Sequence, residues 1–241
     1  MIAAQAALET RLMLRNGEQL LLTIVIPAVV LALFSTVDVI DTGAGRRVDF
    51  LAPGAIALAV LATSFTGQAI GTGFDRRYGV LKRLGASPLP RAALMAAKTV
   101  SVLLTQLLQI ALLSAIAFAL GWSPRGGWSS AALLAVLVLL GTAAFSGLGL
   151  LMAGTLKAEA TLAAANLVFV VLLVVGGVLV PLAKFPPALR PLLEALPITA
   201  LSQGLREVLA QGGGMPWAEA GVLAVWAVLG LGLAARFFRW E

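Results

Sequence analysis

Six long apolar stretches punctuate the chain, at about residues 20–36, 51–73, 92–120, 128–151, 161–181 and 217–238. They constrain the fold more than any other feature, because a helix of about 20 largely apolar residues crosses the roughly 30 Å hydrocarbon layer of a membrane. No other segment is long enough for a soluble domain, and residues 184–216 are too polar and proline-rich for a seventh span. Composition agrees. Of the 241 residues 60% are hydrophobic and 12% charged, against about 45–50% and 25% in soluble domains. An ordinary soluble enzyme is excluded, and so is a disordered chain, which needs low hydrophobicity and high charge. The expected fold is all-α and integral to a membrane, one domain over residues 1–241 with six transmembrane helices.

Residues 1–17 carry Glu9, Arg11 and Arg15 in a helix-compatible run. They lack the short apolar core and cleavage site of a signal peptide and are read as a cytoplasmic or interfacial segment. An even number of spans puts both termini on one side. With the termini inside, eleven of the 17 Lys and Arg fall inside and six outside, while the acidic residues divide five and six. Lys and Arg mark the cytoplasmic side, so the whole net charge of +6 lies there. It reflects topology and attraction to anionic lipid, and no nucleic-acid partner is expected. The Ala-, Leu-, Val- and Arg-rich composition suits a bacterium of high genomic GC, and the expected location is a bacterial cytoplasmic membrane.

Enzyme chemistry has few residues to work with. The chain contains no His and no Cys, so imidazole, thiolate and Cys/His metal mechanisms are excluded. No G-x-x-x-x-G-K-[ST] phosphate loop occurs; the glycine clusters 71–73 and 212–214 lack the Lys that should follow. No catalytic or metal-ligating residue is assigned.

Two loops carry the most information. The inner one, residues 74–91, reads FDRRYGVLKRLGASPLPR. Asp75 and Ser87 can bound a helix, and Pro88 and Pro90 forbid its continuation. A helix of about three turns between them gathers Val80, Leu81 and Leu84 on one stripe, with Arg76 and Arg83 beside it. Such a helix rests on lipid headgroups or docks into a groove of a cytoplasmic partner. The outer loop, residues 181–216, holds Pro181, Pro186, Pro187, Pro191 and Pro197, with helix-compatible pieces at 188–195 and 198–210. These are too short to cross. They read either as a re-entrant pair of half-helices, tolerated at membrane depth only against protein or a water-filled cavity, or as an amphipathic hairpin on the outer leaflet.

Within the spans the polar residues are Thr63, Ser64, Thr66, Gln68, Gln106, Gln109 and Asn166. Intramembrane polar groups usually face the protein interior. Gln68, Gln106, Gln109 and Asn166 are the candidates for lining a pathway; the competing reading is interhelical glue. No acidic residue sits mid-span, which argues against a proton-coupled carrier, and weakly polar walls suit an apolar or amphiphilic cargo. Gly141, Gly147, Gly149, Gly154, Gly176 and Gly177 allow close helix packing or a dimer seam. The two halves of the chain do not show the matching broken helices of inverted-repeat carriers.

Both loops resemble those of ABC-2 type transporter permeases. Asp75, Arg76, Gly79, Leu84, Ser87 and Pro88 stand where that family has its coupling helix, with Asp75 at a position where Glu is common. Pro181, Pro186, Leu189, Pro197, Thr199, Arg206 and Leu209 stand where it has an extracellular gate segment; Leu196 replaces the Asn that often precedes the central proline. The chain looks closer still to permeases of daunorubicin-resistance-type drug exporters. The resemblance implies a non-catalytic permease subunit that pairs with a second copy or a paralogue. It also implies two copies of a separate ABC ATPase, which bind the ATP and Mg. Asp75, Arg76, Arg77, Gly79, Lys82, Arg83, Leu84, Ser87 and Pro88 would couple to the ATPase, while Pro181, Pro186, Leu189, Pro197, Thr199 and Arg206 would form the gate. The expected function is export of a drug-like or lipid-like substrate; the alternative is a stand-alone channel or secondary carrier.

Overall fold

The computed structural model describes residues 24–37, 46–80 and 91–238. Every regular element among them is helical. Five helices are long and apolar enough to cross a membrane. They are α2 (Arg47–Arg77), α3 (Arg91–Ala119, its apolar part Lys98–Ala119), α4 (Gly127–Thr155), α5 (Ala158–Val175) and α8 (Trp217–Phe237). Helix α1, Ile26–Thr36, has 11 residues, about 16 Å at 1.5 Å per residue. The expected first span began at residue 20, and residues 20–23 lie outside the described residues. Two short helices, α6 (Arg190–Glu194) and α7 (Pro197–Leu209), occupy the loop between α5 and α8.

Several expected boundaries need correction, most clearly in two spans. The second span was expected over 51–73, but α2 starts at Arg47 and runs unbroken to Arg77. Nothing between Gly73 and Arg77 breaks a helix; Gly79, with φ +69°, does, because only glycine takes that conformation cheaply. The fifth span was expected to reach residue 181, but α5 stops at Val175. Gly177 turns the chain with φ +66°, and a Cβ on Gly176 would lie 2.5 Å from Ile198 Cγ2. The chain leaves the helix there to let α7 pack in.

Helix α2 is the axis of the molecule. Its apolar window is 89% buried, against 22–39% for the other four spans. Midway it takes a π-helical turn over Ala62–Gly67, the widened geometry that often marks a functional position. Helices α2 and α5 run antiparallel. Arg77 meets Glu159, Gly73 faces Thr161, and Gly54 faces Val178. Along α2 the Gly54 and Arg77 contacts are about 35 Å apart, slightly more than a hydrocarbon layer.

Helices α4 and α8 run parallel in close contact. A Cβ on Gly147 would lie 2.5 Å from Leu231 N and 2.6 Å from Gly230 C. Gly141 makes room for Leu201, Gly149 for the carbonyls of Phe65 and Ser64, and Gly154 for Phe238. These four glycines, expected either in helix packing or at a dimer seam, are thus occupied by contacts within the chain.

Helix α7 lies antiparallel to the first half of α4. Ser130 Oγ donates to Val208 O (3.1 Å), while Leu201 sits on Gly141, the midpoint of α4. Ile198, Leu201, Leu205 and Val208 form its fully buried stripe, the i, i+3, i+7 spacing of an amphipathic helix.

Candidate functional site

Three regions along α2 gather the residues singled out above. At the Arg77 end, Asp75, Arg76 and Arg77 form the last turn of α2. Asp75 therefore does not open a separate short helix, as the loop's pattern suggested. Its carboxylate accepts from Lys98 Nζ of α3 at 2.8 Å. Arg76 reaches across to the end of α4, donating from Nη1 to Gly154 O (2.7 Å) and from Nη2 to Leu156 O. A cation on the last carbonyls of a helix satisfies groups that lack intrahelical donors and complements the helix dipole. Arg77 pairs with Glu159 at the start of α5. One turn of α2 thus fastens α3, α4 and α5. Gly79 ends the helix with a positive φ, and no described residue lies within 4 Å of where its Cβ would sit, so its role is conformational. Lys82, Arg83, Leu84, Ser87 and Pro88 lie outside the described residues.

The middle region centres on the π-turn. Thr63 Oγ1 donates to Gln109 Oε1 (2.8 Å), and Gln106 Nε2 donates to Ser64 Oγ (2.6 Å). Thr142 of α4 hydrogen-bonds Gln106 Oε1 at 2.9 Å. Gln106 and Gln109, three residues apart on one face of α3, are each 1% exposed. They join α2, α3 and α4. Thr142 was not anticipated; a lone threonine in an apolar span gives no pattern to read.

Three further polar groups lie without partners. Thr66 Oγ1 and Gln68 Oε1 on α2, and Asn166 Oδ1 on α5, are buried and have no hydrogen-bond partner among the described residues. Gln68 lies five residues before Gly73, and Asn166 five after Thr161. Each is therefore about 7.5 Å from the Gly73–Thr161 contact, at the same level of the antiparallel pair.

The third region is the Arg206 end. Pro181 caps a 3-10 turn over Leu182–Lys184, and Pro186 O accepts from Leu189 N at 2.9 Å. Leu189 caps α6 and is exposed. Arg190 ties this loop with bonds to Phe185 O (3.0 Å) and Ala183 O (2.6 Å). Trp226 of α8 holds the following turn through Ala195 O at 2.7 Å. Pro197 opens α7 in the first helical turn, where its missing N–H costs nothing. Thr199 is fully buried, its Oγ1 without a partner among the described residues. Arg206 donates from Nε to Phe50 O (3.0 Å) and from Nη2 to Val178 O (2.9 Å), with its guanidinium 3.7 Å over the Phe50 ring. The sequence offered no means of finding those acceptors, which are main-chain carbonyls.

The family model described as "ABC-2 type transporter" matches residues 4–210. The chain belongs to the ABC-2 type transporter family. It is a multi-pass membrane protein and a permease component of an ABC transporter, a class of subunit that is generally non-catalytic and works with an ABC ATPase. No curated protein matches it. Among the described residues of this permease no three His, Cys, Asp or Glu side chains come together as a metal cage requires.

Proposed function

We propose that this permease is the membrane half of an exporter of daunorubicin-resistance type. It would work as a dimer, with itself or a paralogue, on two copies of a separate ATPase that bind the ATP and Mg. In this reading it sits in a bacterial cytoplasmic membrane with both termini inside. The observation that carries the reading is the antiparallel α2–α5 pair, fastened at Arg77–Glu159 and bridged by Arg206 about a membrane thickness away. The loop that follows Arg77 receives the ATPase, and α7, re-entering from the outside, covers the exit.

A displacement of the loop would reach α3, α4 and α5 through Asp75, Arg76 and Arg77, all in one helical turn. We assign the pathway to the level of α2 and α5 where Thr66, Gln68 and Asn166 have buried oxygens without partners among the described residues. Gln106 and Gln109 are taken up by helix joining. Weakly polar walls of this kind suit an apolar or amphiphilic, drug-like or lipid-like cargo.

Because Arg76 caps α4, its replacement would disturb the permease itself. The discriminating variant is Lys82→Glu/Arg83→Glu. The test is co-purification from membranes with the ATPase encoded beside this permease. Recovery of the ATPase with wild type and its loss with the variant is expected. Recovery with both moves the docking site elsewhere. Absence from both, with the permease well folded, favours the stand-alone channel or carrier.

A further inference from the structure

Arg206 bonds both to α2 and to the turn that follows α5. Phe50 lies in the first turn of α2, and Val178 lies in the turn that follows α5. Both acceptors are backbone carbonyls, so neither can follow the arginine by a change of side-chain rotamer. A notch has been left for the contact. A Cβ on Gly54 would lie 3.0 Å from Arg206 Nη2 and 2.8 Å from Val178 O. The guanidinium is a rigid planar fork, and N–H···O bonds hold only over donor–acceptor distances of about 2.7–3.2 Å. A slide or splay of α5 against α2 by an ångström or so therefore breaks one bond or the other. The stack on Phe50 fixes the plane of the fork, which narrows its tolerance further.

We propose that Arg206 is a pin that senses the spacing of α2 and α5. It holds α7 seated at the spacing seen here and releases it when either carbonyl moves away. The inference rests on the reading of α7 as the exit gate and adds the trigger. The motion that opens the gate is relative movement of α2 and α5, the two helices that Arg77 and Glu159 join at the other end. Arg206 is a positioning residue; it acts through α7.

The chain has no cysteine, so one introduced thiol is a clean reporter. Ser202 is one turn before Arg206 on α7, fully buried, with its Oγ bonded to Gly176 O at 3.2 Å. Ser202→Cys reports whether α7 is seated. Ser101→Cys on α3, also buried, reports general loosening. The full-length chain in right-side-out and inside-out vesicles is labelled with a membrane-impermeant maleimide. With Arg206→Met, which removes both charge-assisted bonds, labelling at position 202 should rise at least about tenfold, the scale of losing one of them, while labelling at 101 stays unchanged. Arg206→Lys, which keeps the charge and loses the fork, should also raise labelling at 202. The proposal is overturned by an unchanged rate at 202 with Arg206→Met, by an equal rise at 101, or by full restoration with Arg206→Lys. A selective rise at 202 that appears only in inside-out vesicles supports the pin and overturns the outer-gate reading.

Discussion

The two ends of the α2–α5 pair are held by different chemistry. At the Arg77 end the link is an ion pair, Arg77–Glu159, between side chains 49% and 61% exposed. At the Arg206 end it is a guanidinium shared between two main-chain carbonyls and an aromatic ring. An exposed ion pair contributes about 0–1 kcal/mol and weakens with salt. A hydrogen bond from a charged donor contributes about 1.5–3 kcal/mol, and the two made by Arg206 are part-buried. The end assigned to the ATPase is therefore the compliant one, and the end assigned to the gate is stiff. In the proposed reading, a displacement at one face is absorbed without loss of the seal at the other, until α2 and α5 separate far enough to unseat Arg206.

The largest effect should come from filling the notch. Gly54→Val places a Cβ 2.8 Å from Val178 O, and overpacking of this kind costs about 1–3 kcal/mol. The melting temperature of the purified permease in detergent should fall by about 5–10 °C; a fall below 2 °C would mean that the Arg206 end is not stiff. Arg76→Ala ranks next. It strips the donors from Gly154 O and Leu156 O at a part-exposed site, and the same melt should lose about 3–5 °C. A loss larger than that of Gly54→Val would reverse the comparison. The smallest effect belongs to the ion pair. Arg77→Glu should cost less than about 1 kcal/mol, and adding Glu159→Arg should restore it. High salt should erase the difference between single and double variants. Persistence of the difference at high salt would show the pair to be shielded from solvent, and the Arg77 end stiffer than its exposure indicates.

Much of this architecture is legible in the residues. Proline spacing separates α6 from α7, because each proline lacks the N–H that would continue the preceding helix. The apolar runs predict α3, α4, α5 and α8 to within a few residues at most ends, and the loop motifs point to the ABC-2 family. The end of α2 is another matter. Asp75 has the chemistry of a helix boundary, yet it lies inside the helix, where Lys98 partners its carboxylate. The glutamines of α3 allow two readings, and their partners Thr63, Ser64 and Thr142 separate them. Arg206 is visible as a motif residue, but its acceptors are carbonyls, which carry no side-chain identity.

The sequence alone determined that the chain lies in a membrane, that it is helical, and where the five described helices long enough to cross would fall. Each follows from local composition, since lipid demands apolar side chains and a backbone bonded within its own segment. Only the tertiary structure decided which helix is central. By mean hydropathy α2, at 1.8, is no more apolar than the spans at 1.8–2.3 around it, yet it is by far the most buried. In water the most apolar helix would be drawn inward. In a bilayer lipid tails are as apolar as leucine, so hydropathy does not rank burial. The middle position goes to the helix with small and polar residues that neighbours can approach and bond: Gly54, Thr63, Ser64, Gly73 and the last turn from Asp75 to Arg77.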